Sequence, residues 1–163
     1  MTADEVIEQL QLQPHPVEGG YFRETYRSTE TLQRDGDTRS VGTAIYYLLT
    51  PKTVSALHLL PGDEVFHFYA GDPVQMLQLW PDGSTRTLTL GTDLKNAQVP
   101  QLVVPGGVWQ GSVLIDRGSW ALLGATMAPG FDYADYSSGD RAELTAKYPA
   151  EARMIERLTP SVR

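Results

Sequence analysis

The chain lacks cysteine altogether, which excludes disulfide bonds, thiol catalysis and thiolate metal sites. It also lacks any apolar run near the roughly 20 residues that a membrane-spanning helix requires. The N-terminal segment is acidic and amphipathic, without the basic start and the apolar centre of a signal peptide. Without a spanning segment or a signal peptide, a cytoplasmic location is the default expectation, and no membrane partner is expected.

Positive charge is scarce as well, since 13 lysines and arginines stand against 20 aspartates and glutamates, for a formal net charge of -7. Nucleic acids and anionic membranes bind clustered Lys and Arg side chains, and the basic residues here are scattered. Arg23 and Arg27, on either side of an aromatic segment, could still hold one anionic group. We therefore expect a small-molecule ligand, neutral or locally anionic, and no nucleic acid.

Short β-favouring segments, separated by turn residues, make up most of the chain. A buried strand is predicted at 40–50, and further strands at about 54–60, 64–70, 74–80, 85–90, 100–105, 109–115 and 119–128. Strands at this regular spacing, with no helices between them, indicate an all-β antiparallel sandwich or barrel. Because open sheets commonly cover their edges by pairing, we also expect a homodimer.

Helices are predicted only at the two ends of the chain. A capping box from Thr2 to Glu5 predicts a short helix over 3–11, and further short helices are expected between about 140 and 158. A length of 163 residues suits one domain, with its β core at about 14–136.

Two sequence blocks carry most of the side chains capable of chemistry. They are SALHLLPGDEVFHFYAGD, from Ser55 to Asp72, and VVPGGVWQG, from Val103 to Gly111. Because alternate side chains of a barrel strand point inward, Glu64 is predicted to share the inner face with Phe66, while His67 faces away. On the preceding strand, His58 is predicted to share a face with Ala56 and Leu60.

These blocks resemble the paired signature motifs of the cupin superfamily, and the whole chain resembles its cupin-5 subfamily, which has no assigned function. The resemblance rests on PHPVEGGYFRETYRS (Pro14 to Ser28), TAIYYLL (Thr43 to Leu49), SALHLLPGDEVFHFYAGDP (Ser55 to Pro73), VVPGGVWQG and APGFDYADY (Ala128 to Tyr136). It implies a jelly-roll β-barrel with short helices on its outside.

The cupin pattern also bears on metal binding, since it supplies three histidines and a glutamate to a divalent metal. By the resemblance, His58 and Glu64 occupy the first-histidine and glutamate positions, whereas Leu60 and Gln110 stand where the other two histidines belong. We therefore predict that no metal cofactor is obligatory. If a divalent metal is present, its expected ligands are His58, Glu64, His67 and Gln110, with His67 brought inward by a β-bulge.

A more distant resemblance, to the dTDP-4-dehydrorhamnose 3,5-epimerase family, implies a chemistry. That family uses a cupin-like barrel without metal, and its catalytic histidine lies on the strand that corresponds to His58. The leading hypothesis is an isomerase or epimerase for a carbohydrate or another small polar metabolite. In it His58 transfers the proton and Glu64 fixes the histidine tautomer or stabilises its charge. The residues predicted to bind the substrate are Arg23, Ser55, Phe66, His67, Trp109 and Gln110.

Two other functions remain open from the sequence. The protein could bind a small metabolite without catalysis, or it could be a metal-dependent enzyme of the oxygenase type that uses the four metal ligands named above. His15, which lies between two prolines, is predicted to be a surface loop residue.

Overall fold

Two antiparallel sheets pack face to face in the computed structural model, which describes residues 1–160. The strands are β1 (Gln13–Pro14), β2 (Tyr21–Arg27), β3 (Thr31–Arg34), β4 (Asp37–Ser40), β5 (Thr43–Leu49), β6 (Val54–Leu59), β7 (Glu64–Gly71), β8 (Val74–Leu79), β9 (Thr85–Leu90), β10 (Gln101–Val104), β11 (Trp109–Leu114), β12 (Ala121–Met127) and β13 (Ser137–Ser138). The α-helices are α1 (Ala3–Leu10), α2 (Arg141–Lys147) and α3 (Ala152–Leu158).

The strand order shows how the chain winds between the sheets. The six-stranded sheet has the order β1-β2-β5-β12-β7-β10, and the five-stranded sheet has the order β13-β6-β11-β8-β9. Strands β3 and β4 form a separate ribbon. Each named strand pairing is antiparallel, and most neighbours within a sheet are distant in sequence. This topology confirms the predicted jelly-roll β-barrel.

The main core lies between the two sheets. It is built from the inward side chains of both, including Tyr47, Leu49, Phe66, Met76, Leu114 and Leu123. Strand β7 shows the expected alternation, because Glu64 and Phe66 are buried while Tyr69 is exposed.

The helices cover parts of the outer sheet faces. Helices α2 and α3 bury Leu144, Ile155 and Leu158 against the five-stranded sheet. Helix α1 starts at the predicted capping box and packs Val6 against the six-stranded sheet. Within residues 1–160, no helix has the length and the apolar character needed to cross a membrane.

Two β-bulges change which side chains reach the barrel interior. In β6 the register against β11 shifts between His58 and Ser55, so that Ser55 lies inward with His58. Ala56, which was predicted to share a face with His58, instead lines an outer groove. In β2 the register against β5 shifts between Glu24 and Tyr26, and Arg27, although 44% exposed, lies on the cavity side of the strand.

Candidate functional site

A cavity of about 170 Å³ opens between the two sheets near one end of the barrel. The titratable side chains that line it are His15, Glu18, Glu24, Arg27, His58, Glu64 and Tyr133. Apolar side chains such as Phe22 and Ile45 complete its wall. A concave, largely apolar site with a few convergent polar groups is typical of small-molecule binding.

His58 is held in one orientation on β6. Its side chain is only 2% exposed, and its Nδ1 lies 2.8 Å from the carbonyl oxygen of Ala56. A carbonyl oxygen can only accept a hydrogen bond, so Nδ1 carries the proton and Nε2 of the neutral ring keeps its lone pair. The Ala56 carbonyl therefore fixes the tautomer, and the expectation that Glu64 does so was wrong.

Tyr136 supports the same ring from one face. The His58 and Tyr136 ring centroids lie 4.9 Å apart, and the planes are inclined by 14°. Offset stacking of this kind restricts ring rotation. Together with the Nδ1 contact, the stacking leaves Nε2 as the ring nitrogen available to a ligand.

Glu64 lies at the start of β7 and is 8% exposed. The amide nitrogen of Gln110 donates to one carboxylate oxygen of Glu64 at 2.8 Å. Burial raises the pKa of Glu64 to about 7, with a smaller increase from the Glu18 carboxylate and opposing effects of His58 and the Gln110 hydrogen bond. Glu64 can therefore gain or lose a proton near neutral pH, as a general acid or base must.

Glu18 brings a second carboxylate to the cavity. The Ser55 hydroxyl donates a hydrogen bond to one of its oxygens, and the backbone nitrogen of Ala56 donates to its carbonyl at 2.9 Å. The neighbouring Tyr47 hydroxyl donates to the Gly19 carbonyl at 2.7 Å. Ser55, which was predicted to bind substrate, thus holds Glu18 in place.

The segment from Ala128 to Tyr136, here called the cover loop, closes part of the cavity. It contributes Phe131 and Tyr133 to the lining. The Thr43 hydroxyl accepts from the Phe131 amide at 2.9 Å, and Arg27 donates to the Phe131 carbonyl at 3.0 Å. Arg39 lies 3.1 Å from Asp135, further along the loop.

Three of the predicted substrate-binding residues lie away from the cavity. Arg23 hydrogen-bonds Gln11 at 3.4 Å, and its guanidinium lies 5.7 Å from the ring centre of Tyr46, on the outer face. Trp109 packs against the core beneath α2 and α3. His67 lies on the outer face of the six-stranded sheet.

Strand alternation explains the position of His67. Its Nε2 is 3.1 Å from the Thr126 hydroxyl, and its Nδ1 is 3.3 Å from the Gln101 amide nitrogen. The register shift in β7 falls between Phe68 and Ala70, beyond His67, so it does not turn this residue inward. Of the remaining predicted residues, Phe66 belongs to the main core and Gln110 reaches the site through Glu64.

His15, Glu18 and Glu24 line the cavity although they were not predicted as site residues. His15 was predicted to lie on the surface, but its side chain is 5% exposed and lines the cavity. In the sequence, the Gly19-Gly20 pair could have indicated that this segment lies close to the barrel. Gly20 has a φ of 70°, and a Cβ at this position would approach Tyr47 and the Leu48 carbonyl oxygen to 2.9 Å. Such close backbone approach brings the preceding residues against the barrel.

The donors present do not fit the cupin metal site. Across residues 1–160, no three His, Asp or Glu side chains are grouped so as to hold a metal ion. Leu60 lines the cavity at the second-histidine position, and an aliphatic side chain cannot be a ligand. Gln110 directs its amide nitrogen, which is not a metal donor, at Glu64.

The fold, together with a buried histidine and glutamate on the first of its two motifs, defines a cupin-type β-barrel. The chain belongs to the Cupin_5 family of the cupin superfamily (DUF985), which it matches over residues 4–138. It is 33% identical over 150 residues to an uncharacterized protein of Saccharomyces cerevisiae, YML079W, with 83% of this chain and 74% of the yeast protein covered.

Solved structures of similar proteins share the whole fold. A hypothetical protein from Leishmania major has a TM-score of 0.90 at 32% identity, covering 98% of this chain and 99% of that one. Protein SO0799 from Shewanella oneidensis has a TM-score of 0.89 at 34% identity, covering 98% of both chains. Oxalate decarboxylase from Bacillus subtilis, with a TM-score of 0.59 at 14% identity over 94% of this chain and 39% of that one, shares the fold alone.

Proposed function

We propose that the protein is a metal-independent isomerase or epimerase that transfers a proton on a small carbohydrate or a similar polar metabolite. The observation that carries this proposal is the tautomer of His58, whose Nδ1 lies against the Ala56 carbonyl, so that Nε2 is the free base in the cavity. Glu64 lines the same cavity, and burial raises its pKa to about 7.

The two side chains suit the two halves of a proton transfer. Nε2 of His58 takes a proton from a carbon atom next to a carbonyl group, and protonated Glu64 donates a proton to the carbonyl oxygen. The product is an enediol or enol, with an imidazolium and a carboxylate left in the site. For an isomerisation the imidazolium gives its proton to the other carbon; for an epimerisation it exchanges its proton with solvent, and a solvent proton reaches the other face of the same carbon. The Glu64 carboxylate takes a hydroxyl proton as the carbonyl group re-forms, which restores both groups.

Metal chemistry is not part of this proposal. One structure of the Bacillus subtilis oxalate decarboxylase is described with Mn(II) centres, but that protein is only 14% identical to this chain. Here Leu60 and Gln110 replace two imidazoles, and His67 lies outside the cavity. The ligand set predicted for a metal-dependent enzyme is therefore not assembled in the described residues.

The proposal is tested by solvent exchange. Incubation of the protein with a panel of small keto sugars and hydroxyketones in heavy water should place deuterium next to the carbonyl, as read by NMR. His58→Asn should abolish the exchange, because the amide supplies no base. His67→Asn is the matched control, since it removes a histidine of the same barrel that lies outside the cavity, and it should leave the exchange intact.

Binding without catalysis is the second candidate, and the cover loop favours it. Contacts from Thr43, Arg27 and Arg39 hold this loop over the cavity, an arrangement that suits retention of a ligand. Saturable binding that His58→Asn leaves unchanged, with no exchange by any variant, would favour the binder. We also propose that the protein is a cytoplasmic homodimer. Sedimentation of the purified protein tests the dimer.

A further inference from the structure

His15 has a protonation pattern opposite to that of His58. Its Nδ1 accepts hydrogen bonds from the backbone nitrogens of Val17 at 3.3 Å and Glu18 at 2.9 Å. A nitrogen that accepts two N–H groups carries no proton, so the proton of the neutral ring lies on Nε2. Burial lowers the pKa of His15, and the proximity of His58 lowers it further, against an opposing effect of Glu18.

The Nε2–H group of His15 remains available to a ligand. Its closest carboxylate oxygen, on Glu18, lies 3.9 Å away, which is too long for a hydrogen bond. His15 packs against Phe22, with ring centroids 4.7 Å apart, and both side chains line the cavity. The cavity therefore contains one imidazole that donates and one, His58, that accepts.

The charges around the cavity restrict the ligand further. Among the lining residues that the structure describes, Arg27 is the one guanidinium, and Glu24 already accepts from it through both carboxylate oxygens, at 2.9 and 2.8 Å. Within residues 1–160, the other two lining carboxylates, Glu18 and Glu64, have no such cation beside them in the lining. An anionic ligand would enter an acidic site in which the cation of the described lining is already paired with Glu24, at a considerable electrostatic cost.

We propose that His15 is a ligand-binding residue, and that the donor–acceptor pair of His15 and His58 selects a small, uncharged hydroxycarbonyl compound and rejects anions of the same size. This inference rests on the proposed function, because the ligand is the substrate of that reaction. Nε2–H of His15 donates to the carbonyl or a hydroxyl oxygen of the ligand. Nε2 of His58 faces the carbon or hydroxyl that carries the proton.

The substitution His15→Asn separates the ligand role from a purely structural one. The asparagine Oδ1 atom replaces Nδ1 as the acceptor for the amides of Val17 and Glu18, which is a common side-chain turn, but nothing replaces Nε2–H. His15→Phe, which removes both functions, shows the cost of losing the turn as well. Thermal unfolding of each variant reports on the fold.

Two probes of equal heavy-atom number test the ligand class: dihydroxyacetone, which is neutral, and pyruvate, which is an anion. Long-range proton–nitrogen NMR of the labelled protein first reports the tautomers of His15 and His58. Titration with each probe then follows the shifts of the same ring nitrogens. Dihydroxyacetone should shift both rings in a saturable manner, and pyruvate should not. His15→Asn should weaken binding of dihydroxyacetone about tenfold, as for one lost hydrogen bond.

Each other outcome overturns a part of the proposal. A His15 proton found on Nδ1, or unchanged binding of dihydroxyacetone by a stable His15→Asn variant, excludes the donor role. Pyruvate binding as tight as that of dihydroxyacetone, or no shift with dihydroxyacetone up to its solubility, excludes the proposed ligand class. These readouts need no turnover, so a protein that binds the probe but exchanges no deuterium contradicts the isomerase function and leaves this inference standing.

Discussion

Gln110 and Glu64 join the two sheets of the barrel, with the amide nitrogen of Gln110 2.8 Å from a carboxylate oxygen of Glu64. Gln110 lies on β11 of the five-stranded sheet, and Glu64 begins β7 of the six-stranded sheet. The amide occupies the position at which the cupin pattern has a metal-binding histidine. Here it donates a hydrogen bond to the carboxylate, whose pKa is raised by burial and lowered by this contact.

Glu64 should make the stability of the protein depend on pH. Its pKa in the folded state is about 7, above the ordinary value of 4.5 that applies to the unfolded chain. The unfolded state therefore releases its proton first, and the free energy of unfolding should fall as the pH rises from about 4.5 to about 7, then level off. The shift corresponds to a loss on the order of 3 kcal/mol.

Glu64→Gln removes this titration while keeping the side-chain shape. Urea denaturation across this pH range should show the variant gaining stability relative to the wild type as the pH rises. Glu30→Gln, the same change at an exposed glutamate, is the control for loss of a carboxylate. Parallel stability curves for the wild type and Glu64→Gln would show that burial does not raise the pKa of Glu64.

Stacking of Tyr136 on His58 should contribute to both stability and exchange activity. Tyr136→Phe keeps the aromatic face, and we expect it to resemble the wild type. Tyr136→Leu keeps apolar volume but loses the ring contact, and we expect a loss of roughly 1 kcal/mol in urea denaturation. The leucine variant should also lower the rate of deuterium exchange, since the His58 ring gains freedom. Equal behaviour of the two variants would contradict a role for the stacked ring.

Arg39 should control the mobility of the cover loop. Its guanidinium lies 3.4 Å from Asp37 on the β3–β4 ribbon and 3.1 Å from Asp135 in the loop. Arg39→Gln should therefore accelerate hydrogen exchange of the backbone amides between Phe131 and Tyr136. Arg86→Gln, at a guanidinium 4.3 Å from the ring centre of Trp80, is a control away from the loop. An unchanged hydrogen-exchange rate in the cover loop of the Arg39→Gln variant would show that the Arg39 contacts do not restrain the loop.

Strand alternation accounts for what the sequence could predict of the site. The cupin motif and the alternation of inward and outward side chains along β7 predicted Glu64 inside and His67 outside, and the structure agrees. His58 was also predicted as the cavity histidine, from its position in the cupin pattern, and it lines the cavity. The family and the jelly-roll fold followed from the motifs taken together, and both are confirmed.

Departures from alternation account for the residues that sequence reasoning misplaced. The bulge in β6 turns Ser55 inward, and the bulge in β2 places Arg27 in the cavity lining while Arg23 stays outside. Neither bulge has a glycine or another residue that would mark it in the sequence. His15 lies between β1 and β2 in a segment without periodicity, and backbone amides of its own turn set its tautomer. Contacts of this kind depend on the folded backbone and not on side-chain pattern.

Restoring the two missing imidazoles should restore metal binding. Leu60 lines the cavity with His58 and Glu64, and Gln110 contacts Glu64 directly. The double substitution Leu60→His, Gln110→His would supply the donor set of the cupin pattern, and calorimetric titration with zinc or nickel should then show a saturable site. The same double substitution combined with His58→Ala should bind more weakly. If the folded double variant binds no metal, the residues at positions 60 and 110 do not account for the lack of a metal site.

The central claim is that His58 and Glu64 work by proton transfer without a metal ion, and elemental analysis tests it most directly. Protein purified without chelator should contain no stoichiometric iron, manganese, nickel or zinc, and its content should match that of the His58→Ala variant. A full equivalent of one of these metals in the wild type, lost in the His58→Ala variant, would contradict the claim.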